Sequence, residues 1–227
     1  EISLPVTDYG MRYDGQYWHY IDKWLWALQR AGHDEEAIAI ARTCFPHFFD
    51  SRGKGMRWKL SVDATPAPGL EHVYGSNSDT LSALIVFCIL QGDDGAILKE
   101  EIGMLQNALG GYKFRVTDDP LGFGLDLMWD QFLHGSPMQS ALKPLASRAL
   151  DPSHMSLPFR LYGAMIGARI AGWDNQKVDA LEEQALAYEA RVAGHEKHSS
   201  INRVMLAMCL LCPGTLGRRT NDPMVKI

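Results

Sequence analysis

The sequence lacks any apolar run close to the roughly 18–20 residues that a membrane-spanning helix needs. Its longest run, residues 83–90, has only the length of a buried helix segment. An excess of basic residues is also absent, because 22 Lys and Arg stand against 27 Asp and Glu in 227 residues, a formal net charge of −5. Nucleic-acid binding normally requires a basic surface. We therefore expect neither a membrane nor a nucleic acid among its partners, and the oligomeric state is left open.

Cysteine is scarce as well, with single residues at positions 44, 88, 209 and 212. Cys209 and Cys212 have C-x-x-C spacing, but a zinc site needs a second pair of ligands, and no such pair lies at a suitable spacing. No calcium-binding loop of the EF-hand type occurs either. We therefore predict no metal and no other cofactor, and we interpret the cysteines as packing residues. Free thiols are typical of reducing compartments, which favours the cytoplasm.

Strand patterns are almost absent, and only Met56–Val62 alternates in a way that predicts a short extended piece. The rest follows helical periodicity and is divided into nine helices by capping residues, glycine and proline. Asp14 is the predicted N-cap of the first helix, and Asp119 followed by Pro120 begins the fifth. A long loop rich in proline and glycine covers residues 53–75. Eight of the helices are expected at residues 14–31, 34–49, 78–91, 95–109, 119–134, 137–150, 174–192 and 199–212. The seventh is expected to start between Asp151 and Pro158 and to end at Gly172.

These helices alternate in character along the chain. The odd-numbered ones are apolar or aromatic on most faces, which predicts burial on every side, whereas the even-numbered ones are amphipathic and cover a surface. Gly163 and Gly167 in the seventh helix permit close approach of a neighbour. Inner and outer helices joined by short loops are typical of an α/α toroid built of consecutive helical hairpins. We therefore predict an all-α fold with residues 1–227 forming a single toroid domain.

Polar and aromatic residues gather at the starts of the odd-numbered helices and in the long loop. Odd-numbered helices of a hairpin series run in one direction, so we expect these starts to meet at one mouth of the ring. The predicted catalytic carboxylates are Asp14, Asp63, Asp79 and Asp119. The predicted substrate-binding residues are Tyr13, Gln16, Tyr17, His19, Tyr20, Lys23, Trp58, Lys59, Asp118, Arg160 and Asn202.

Each of these residues also has a structural interpretation. Asp14, Asp79 and Asp119 can serve as helix N-caps, which contribute about 0.5–2 kcal/mol without any catalysis. Lys59 and Asp63 can form an exposed salt bridge. Capping does not account for the doubled Asp118-Asp119 or for the number of neighbouring aromatic rings. His19 and Lys23 also need partners or a wet cavity if their helix is buried on all sides.

Aromatic rings beside several carboxylates suit a sugar ligand. Sugar rings stack their C–H faces on aromatic side chains, and their hydroxyl groups bond to carboxylate, amide, imidazole and basic groups. A pair of carboxyl groups, one protonated and one ionised, can cleave a glycosidic bond. These residues therefore favour a small-molecule or oligosaccharide ligand.

At the same residues the chain resembles the six-hairpin glycosidase superfamily, the (α/α)6-toroid proteins, and within it an uncharacterised bacterial and fungal branch. The matching segments are spread over nearly the whole chain. They are Asp14-Gly-Gln-Tyr-Trp-His-Tyr20 with Lys23-Trp24, Trp58-Lys-Leu-Ser-Val-Asp63, Asp118-Asp-Pro-Leu-Gly122, Leu157-Pro-Phe-Arg160 and Ile201–Ala207. The resemblance implies an α/α ring that acts on carbohydrate, while the superfamily includes hydrolases, lyases, phosphorylases and epimerases.

The third cluster departs from that branch. Its members carry H-D-P-L-D-G-L, whereas this chain reads Ser78-Asp-Thr-Leu-Ser-Ala-Leu84, so that Ser78 and Ser82 replace a histidine and an aspartate. Any reaction that needs those two residues is in doubt here. A six-hairpin ring also needs twelve helices. The three that are missing from the pattern are expected to precede Glu1, unless the ring is smaller.

Three functions remain as hypotheses. The first is a glycoside hydrolase that uses two of the four predicted aspartates, held roughly 5–10 Å apart. The second is a non-catalytic sugar-binding or scaffold toroid, which predicts an aromatic pocket without a perturbed carboxyl group. The third is a ring enzyme similar to terpenoid cyclases, although the continuation of Asp118-Asp119 lacks their D-D-x-x-D metal motif. Substrate, linkage and stereochemistry are left open.

Overall fold

The computed structural model of the chain describes residues 15–50, 52–66, 77–92, 95–110, 117, 119–173, 175–192, 199–212 and 214–226. It is mostly helical, at 69% helix with little sheet, which confirms the predicted all-α class. The chain divides into two compact units, Glu1–Lys113 together with Ile227, and Phe114–Lys226. We name these the first unit and the second unit. The single domain over residues 1–227 stays a prediction.

The first unit contains four helices and a two-stranded ladder within its described residues. The helices are α1 (Trp18–Arg30), α2 (Asp34–Phe48), α3 (Asn77–Gln91) and α4 (Lys99–Leu109), and the antiparallel strands are β1 (Gln16–Tyr17) and β2 (Lys59–Leu60). Helix α1 packs on α2 and α3, and α3 packs on α4. The predicted helices at 34–49 and 78–91 and the short extended piece within 56–62 are thereby confirmed.

The second unit is helical throughout its described elements. They are α5 (Pro120–Asp130), α6 (Gln139–Leu142), a 3₁₀ turn (Lys143–Leu145), α7 (Ala146–Ala149), a second 3₁₀ turn (Pro152–Ser156), α8 (Pro158–Ala171), α9 (Asn175–Val192) and α10 (Ser199–Leu211). Helix α8 lies at the centre, since it contacts α5, α9 and α10. The predicted eighth and ninth helices are confirmed to within about two residues. The seventh begins at Pro158, the later limit of its predicted start, because Pro152–Ser156 forms a separate 3₁₀ turn.

The first helix begins later than predicted. Gln16 and Tyr17 are extended and pair with Leu60 and Lys59, and the Trp18 N–H donates to the Trp58 carbonyl oxygen at 3.3 Å. The backbone groups at this end are therefore engaged in the ladder, and α1 starts only at Trp18. The predicted cap, Asp14, lies outside the described residues.

The predicted fifth and sixth helices are shorter than expected. The Phe132 carbonyl accepts from Val225 N at 2.7 Å and His134 N donates back to the Val225 carbonyl, so α5 stops at Asp130 instead of continuing to residue 134. Pro144 lies in the 3₁₀ turn that interrupts residues 137–150. Proline cannot donate the next helical hydrogen bond, which explains why one predicted helix is three short turns.

Aromatic side chains build the core of the first unit. Trp18 lies against Phe48 and Phe87 with ring centroids 5.4 and 6.2 Å apart, and Phe45 lies 5.5 Å from Phe87. Residues 83–87 on α3 are all fully buried, so the predicted burial on every side holds for this helix. Such rings bury large areas and contribute edge-to-face contacts in addition.

A glycine contact joins α5 and α8 in the second unit. A Cβ atom added at Gly124 would overlap the Gly163 carbonyl oxygen, and one added at Gly167 would lie 2.6 Å from the Cα of Gly124. The two backbones thus meet directly, which confirms the predicted close approach at Gly163 and Gly167. No side chain larger than hydrogen fits between them.

Two helices that were predicted to be buried on every side are not, namely the predicted first helix (α1) and the predicted ninth helix (α10). On α1, Tyr20 is 60% and Trp24 53% exposed, and on α10, Val204 and Leu211 are mostly exposed as well. The prediction of all-round burial is therefore wrong for these helices, because each packs through one face only. Among the residues that the structure describes, every helix is too short or too polar to cross a membrane.

Candidate functional site

Two buried aspartates on neighbouring helices form the centre of the first unit. Asp22, in the second turn of α1, is fully buried, and Asp79, in the first turn of α3, is 8% exposed. The Ser82 hydroxyl donates to Asp22 Oδ2 at 2.6 Å and lies 3.0 Å from the main-chain oxygen of Asp79. Lys23 Nζ donates to Asp22 Oδ1 at 3.0 Å. We name Asp22, Lys23, Asp79 and Ser82 the acid centre.

The two carboxyl groups of the acid centre have different surroundings. Burial raises the pKa of Asp79 to about 7, the negative charge of Asp22 acts in the same direction, and Lys23 opposes them. Asp22, by contrast, accepts hydrogen bonds from the Lys23 ammonium and the Ser82 hydroxyl. The acid centre thus combines a carboxyl group of raised pKa with a second carboxyl group held by two donors, an arrangement in which neighbouring carboxyl groups can take different roles.

His19 lies one turn before Lys23 on the same helix. Burial lowers the pKa of its imidazole, the positive charge of Lys23 lowers it further, and Asp22 acts in the opposite direction. A neutral imidazole offers one hydrogen-bond donor and one acceptor. The partner predicted for Lys23 is therefore present as Asp22, and His19 is a neutral polar ring at physiological pH.

Aromatic rings lie next to the acid centre along the start of α1. Tyr17 has ring-centroid distances of 5.3 Å to His19, 5.6 Å to Tyr20 and 5.5 Å to Trp58. Lys59 Nζ lies 4.6 Å from the centroid of the Tyr17 ring although the lysine is only 2% exposed. We name Tyr17, His19, Tyr20 and Trp58 the aromatic patch. Trp24 adds an exposed indole one turn beyond Tyr20.

The ladder between β1 and β2 positions this patch. Tyr17 pairs with Lys59, and a Cβ atom at Gly15 would overlap the Leu60 carbonyl oxygen, so the two segments are in direct backbone contact. Both residues of β2 are buried, so that Lys59 lies inward at the Tyr17 ring, whereas Trp58 before the strand is half-exposed. The exposed salt bridge considered for Lys59 and Asp63 is therefore wrong, because Lys59 is buried.

Asp63 has the surroundings of a turn residue. It is exposed, it bonds closely to the Ser61 hydroxyl, and it accepts from the Thr65 hydroxyl at 2.9 Å. These two hydrogen bonds hold the pKa of Asp63 below its ordinary value. A carboxylate so held is ionised and stabilises its own turn.

Three predicted residues of the second unit lie at helix starts that meet. Asp119 caps α5 through the Gly122 N–H at 2.9 Å and accepts from Arg160 Nη1, in the first turn of α8, at 3.1 Å. The Asn202 side-chain oxygen, near the start of α10, accepts from Phe159 N at 3.1 Å. Both side chains of the Asp119–Arg160 pair are more than 40% exposed, so the pair contributes little stability. The starts of α5, α8 and α10 are thus connected within this unit, and Asp119 is the N-cap that the sequence predicted.

The sequence-predicted residues therefore fall into four groups. Those in or beside the acid centre and the aromatic patch are Gln16, Tyr17, His19, Tyr20, Lys23, Trp58, Lys59 and Asp79. Asp119, Arg160 and Asn202 belong to the second unit, and Asp63 to a surface turn. Tyr13, Asp14 and Asp118 lie outside the described residues.

Sequence reasoning missed Asp22, which is central to the acid centre. The buried face of α1 consists of Trp18, Asp22, Leu25 and Trp26, a helical spacing in which one member is an aspartate. A charged residue within an apolar stripe needs a partner, because an unpaired buried charge is very unfavourable. That pattern marks Asp22 from the sequence alone.

A second pair of aspartates, the half-buried Asp126 and the fully buried Asp130, lies on α5 in the second unit. Burial raises the pKa of Asp126 to about 7, and the nearby Asp130 raises it further. Asp130 Oδ1 accepts from Met138 N at 2.9 Å and thereby ties the end of α5 to the start of the next helical turn. Asp126 and Asp130 are one turn apart in a helix that is otherwise apolar, so the same sequence signal applies to them.

Two further sources of information about a site are a cluster of metal ligands and a match to a known protein. Within the described ranges, no group of three or more His, Cys, Asp or Glu side chains could hold a metal ion. No protein family, curated protein or solved structure matches the chain.

Proposed function

We propose that the chain is a carbohydrate-active enzyme, most simply a glycoside hydrolase, with Asp79 as its general acid. The observation that carries the proposal is the acid centre, where a carboxyl group with a pKa of about 7 lies next to an aspartate held by Lys23 and Ser82. A general acid works best when its pKa is close to the working pH. Asp79 has that value and also retains a small exposed area.

Asp22 acts as a positioning residue in this proposal. It is fully buried and cannot reach a substrate, but its charge keeps the proton on Asp79. Ser82 and Lys23 hold its two oxygen atoms, one each. Ser82 stands where the branch that this chain resembles has an aspartate. In this proposal it keeps a role in the site, because its hydroxyl donates a hydrogen bond to Asp22.

The aromatic patch supplies the sugar-binding surface. Tyr20 exposes a ring face beside His19 and Tyr17, and Trp58 extends the surface from the neighbouring loop. Rings of this kind give a large contact area at a small entropic cost, and neutral His19 supplies polar atoms for hydroxyl groups. Lys59 below Tyr17 adds a positive charge that fixes the ring through a cation–π contact.

The hydrolase proposal needs a second carboxylate that can reach the sugar. Asp63 is a poor choice, because its oxygens are engaged in its own turn. Asp14 stays the sequence-based proposal for this role, since only Gly15 separates it from β1 in the sequence and it lies within the family-like segment. The superfamily relationship and the α/α toroid are proposals of the same kind, supported by the linked helix starts of α5, α8 and α10.

A saccharide panel tests the proposal directly. The purified chain is screened by thermal shift against mono- and oligosaccharides, and each stabilising sugar is then incubated with the protein and analysed by chromatography. We expect at least one oligosaccharide to raise the melting temperature and to be cleaved. Asp79→Asn should bind the same sugar and fail to cleave it, while the control Asp63→Asn should do both. Absence of any stabilising sugar, or cleavage by Asp79→Asn at the normal rate, would contradict the proposal.

Sugar binding without cleavage is the second candidate. It is favoured by the near-complete burial of both aspartates of the acid centre, which leaves little carboxyl surface for a substrate. In that case the panel yields a binder but no product, and Asp79→Asn changes nothing but stability. Tyr20→Ala weakens binding under both candidates, so only product formation separates them.

A further inference from the structure

A cleft in the second unit is lined by residues of α8, α9 and the end of α10. Its volume is about 510 Å³, and the lining residues are Arg169, Gly172, Asn175, Asp179, Glu182, Leu210 and Cys212. Arg169 bonds to both oxygens of Glu182, through Nε at 3.1 Å and Nη2 at 2.7 Å, and closely to Asp179. One positive and two negative groups give this cleft a net negative charge.

The two thiols of the C-x-x-C segment have unequal access to this cleft. Cys212 lines it, whereas Cys209, one turn earlier on α10, is 1% exposed and its thiol donates to Glu182 Oε1 at 3.3 Å. Cys212 N donates to the Cys209 carbonyl at 3.1 Å, so the turn between them is closed. Helical geometry places residues three apart at about 5 Å between Cα atoms, within the range that a disulfide spans.

We propose that Cys212 and Cys209 form a reversible dithiol–disulfide site that exchanges with small disulfides entering the cleft. The Cys212 thiolate attacks one sulfur of the incoming disulfide, forms a mixed disulfide and releases the first thiol. The Cys209 thiolate then attacks the Cys212 sulfur, closes the intramolecular disulfide and releases the second thiol. The two protein thiols are oxidised, one small disulfide is reduced to two thiols, and both cysteine protons pass to water or to the departing thiolates.

The surroundings set the expected rate of the exchange. Burial raises the pKa of Cys212, and Glu182 acts in the same direction, while hydrogen bonds from Thr215 and the Leu216 backbone and the charge of Arg169 lower it. Burial and the hydrogen bond to Glu182 raise the pKa of Cys209 well above its ordinary value. Since only thiolates attack, the site should be slow at neutral pH and faster in mildly alkaline solution.

The charge of the cleft also selects the oxidant. Asp179 keeps 61% of its side chain exposed beside Arg169, so an incoming cation meets a free carboxylate face. We expect cystamine, which carries two ammonium groups, to react faster than glutathione disulfide, which is anionic. Asp179→Asn should reduce the difference in rate between cystamine and glutathione disulfide, and high salt should have the same effect.

The test uses the intact chain under native conditions. The protein is incubated with cystamine or glutathione disulfide across a pH series, quenched in acid, alkylated after unfolding and digested with trypsin. Both cysteines fall on one peptide, Val204–Arg218, so the internal disulfide appears as a loss of two hydrogens from that peptide alone. We expect this product in the wild type, formed faster with cystamine and at higher pH, and reversed by dithiothreitol.

Two matched variants identify the roles of the thiols. Cys209→Ser should stop at the mixed disulfide on Cys212, and Cys212→Ser should leave Cys209 reduced under the same conditions. Cys44 and Cys88 in the same digest report general oxidation. Full alkylation of both thiols in the wild type after long exposure, or a stable mixed disulfide that never closes, would overturn the proposal. Equal reaction of all four cysteines would do the same, because it indicates unfolding rather than a site.

Discussion

Each unit of the chain holds a pair of aspartates in or next to its core, and the two pairs differ in how they are supported. Asp22 and Asp79 come from two helices and are joined by Ser82 and by the charge of Lys23. Asp126 and Asp130 share one helix, and Asp130 accepts a hydrogen bond from the backbone N–H of Met138. In both pairs one carboxyl group has a pKa near 7. A raised pKa alone therefore does not mark a catalytic group. The acid centre differs from a purely structural pair of acids in having the aromatic patch and Lys23 beside it.

The largest expected difference between the pairs is in catalysis. Asp79→Asn should lower sugar hydrolysis by about 10²–10⁴-fold, the usual contribution of a general acid. Asp126→Asn should leave the rate within about threefold of wild type, since that pair has no ring surface beside it. The measurement is the initial rate on the best saccharide from the panel. Equal losses in both variants would remove the distinction.

The next effect is the pH dependence of stability, which both pairs should share. The pKa of Asp79 is about 7 in the folded chain and about 3.9 in the unfolded chain, so the unfolded state releases the proton first as pH rises. Below pH 4 or so both states are protonated and the group costs nothing. Between about pH 4 and 7 the free energy of unfolding should fall, by at most about 4 kcal/mol from this residue.

Urea unfolding at several pH values measures this dependence. Asp79→Asn and Asp126→Asn should each flatten the decrease, and the double variant should flatten it most. Asp63→Asn is the matched control, because hydrogen bonds hold the pKa of that exposed carboxyl below its ordinary value and it does not titrate in this range. A decrease that persists unchanged in the double variant would show that other groups cause it.

A smaller effect concerns the helix that carries the second pair. Gly124→Ala should lower the free energy of unfolding by about 2–3 kcal/mol, since the added methyl group overlaps the backbone of α8. Gly103→Ala on α4 is the control, because no atom lies within 4 Å of its added Cβ and alanine favours helix by about 0.5–1 kcal/mol. Chemical denaturation should therefore give changes of opposite sign. A neutral Gly124→Ala would mean that α5 is free to shift.

The smallest effect tests the link between the two aspartates of the first pair. Ser82→Ala removes a hydrogen bond to a buried charged group and should cost about 1.5–3 kcal/mol of stability. The exposed Ser147→Ala on α7 should stay within about 0.5 kcal/mol of wild type. If Ser82→Ala is equally neutral, the serine does not support Asp22, and the acid centre resembles the second pair more closely.

The helices were predictable because their signals are local. The caps and glycines around α2, α8 and α9 gave their bounds closely, since capping and periodicity depend on neighbouring residues. The late start of α1, at Trp18, was not predictable in this way, because it depends on pairing with residues more than forty positions away. The early end of α5 has the same cause, with Val225 taking its backbone hydrogen bonds.

The candidate site was predictable in composition but not in partnership. Asp79, Lys23 and the rings of the aromatic patch stand out by type, whereas the pairing of Asp22 with Ser82 spans sixty residues and requires the packing of α1 on α3. Asp63 shows the opposite error, since its own turn explains it fully. Residue type thus indicated which kinds of functional group are present. Only the tertiary contacts indicated which carboxyl groups lie together in the site.

The two-residue ladder between β1 and β2 makes the segment between α2 and β2 sensitive to changes in length. Tyr17 faces Lys59 because the pairing has one specific alignment. A slip of one residue in this pairing would place Trp58 or Leu60 opposite Tyr17, and Lys59 would lose its position at the Tyr17 ring. Changes in length between α2 and β2 should therefore be tolerated only where they keep this register. The segment from Met56 to Leu60 accordingly behaves as part of the site rather than as a spacer.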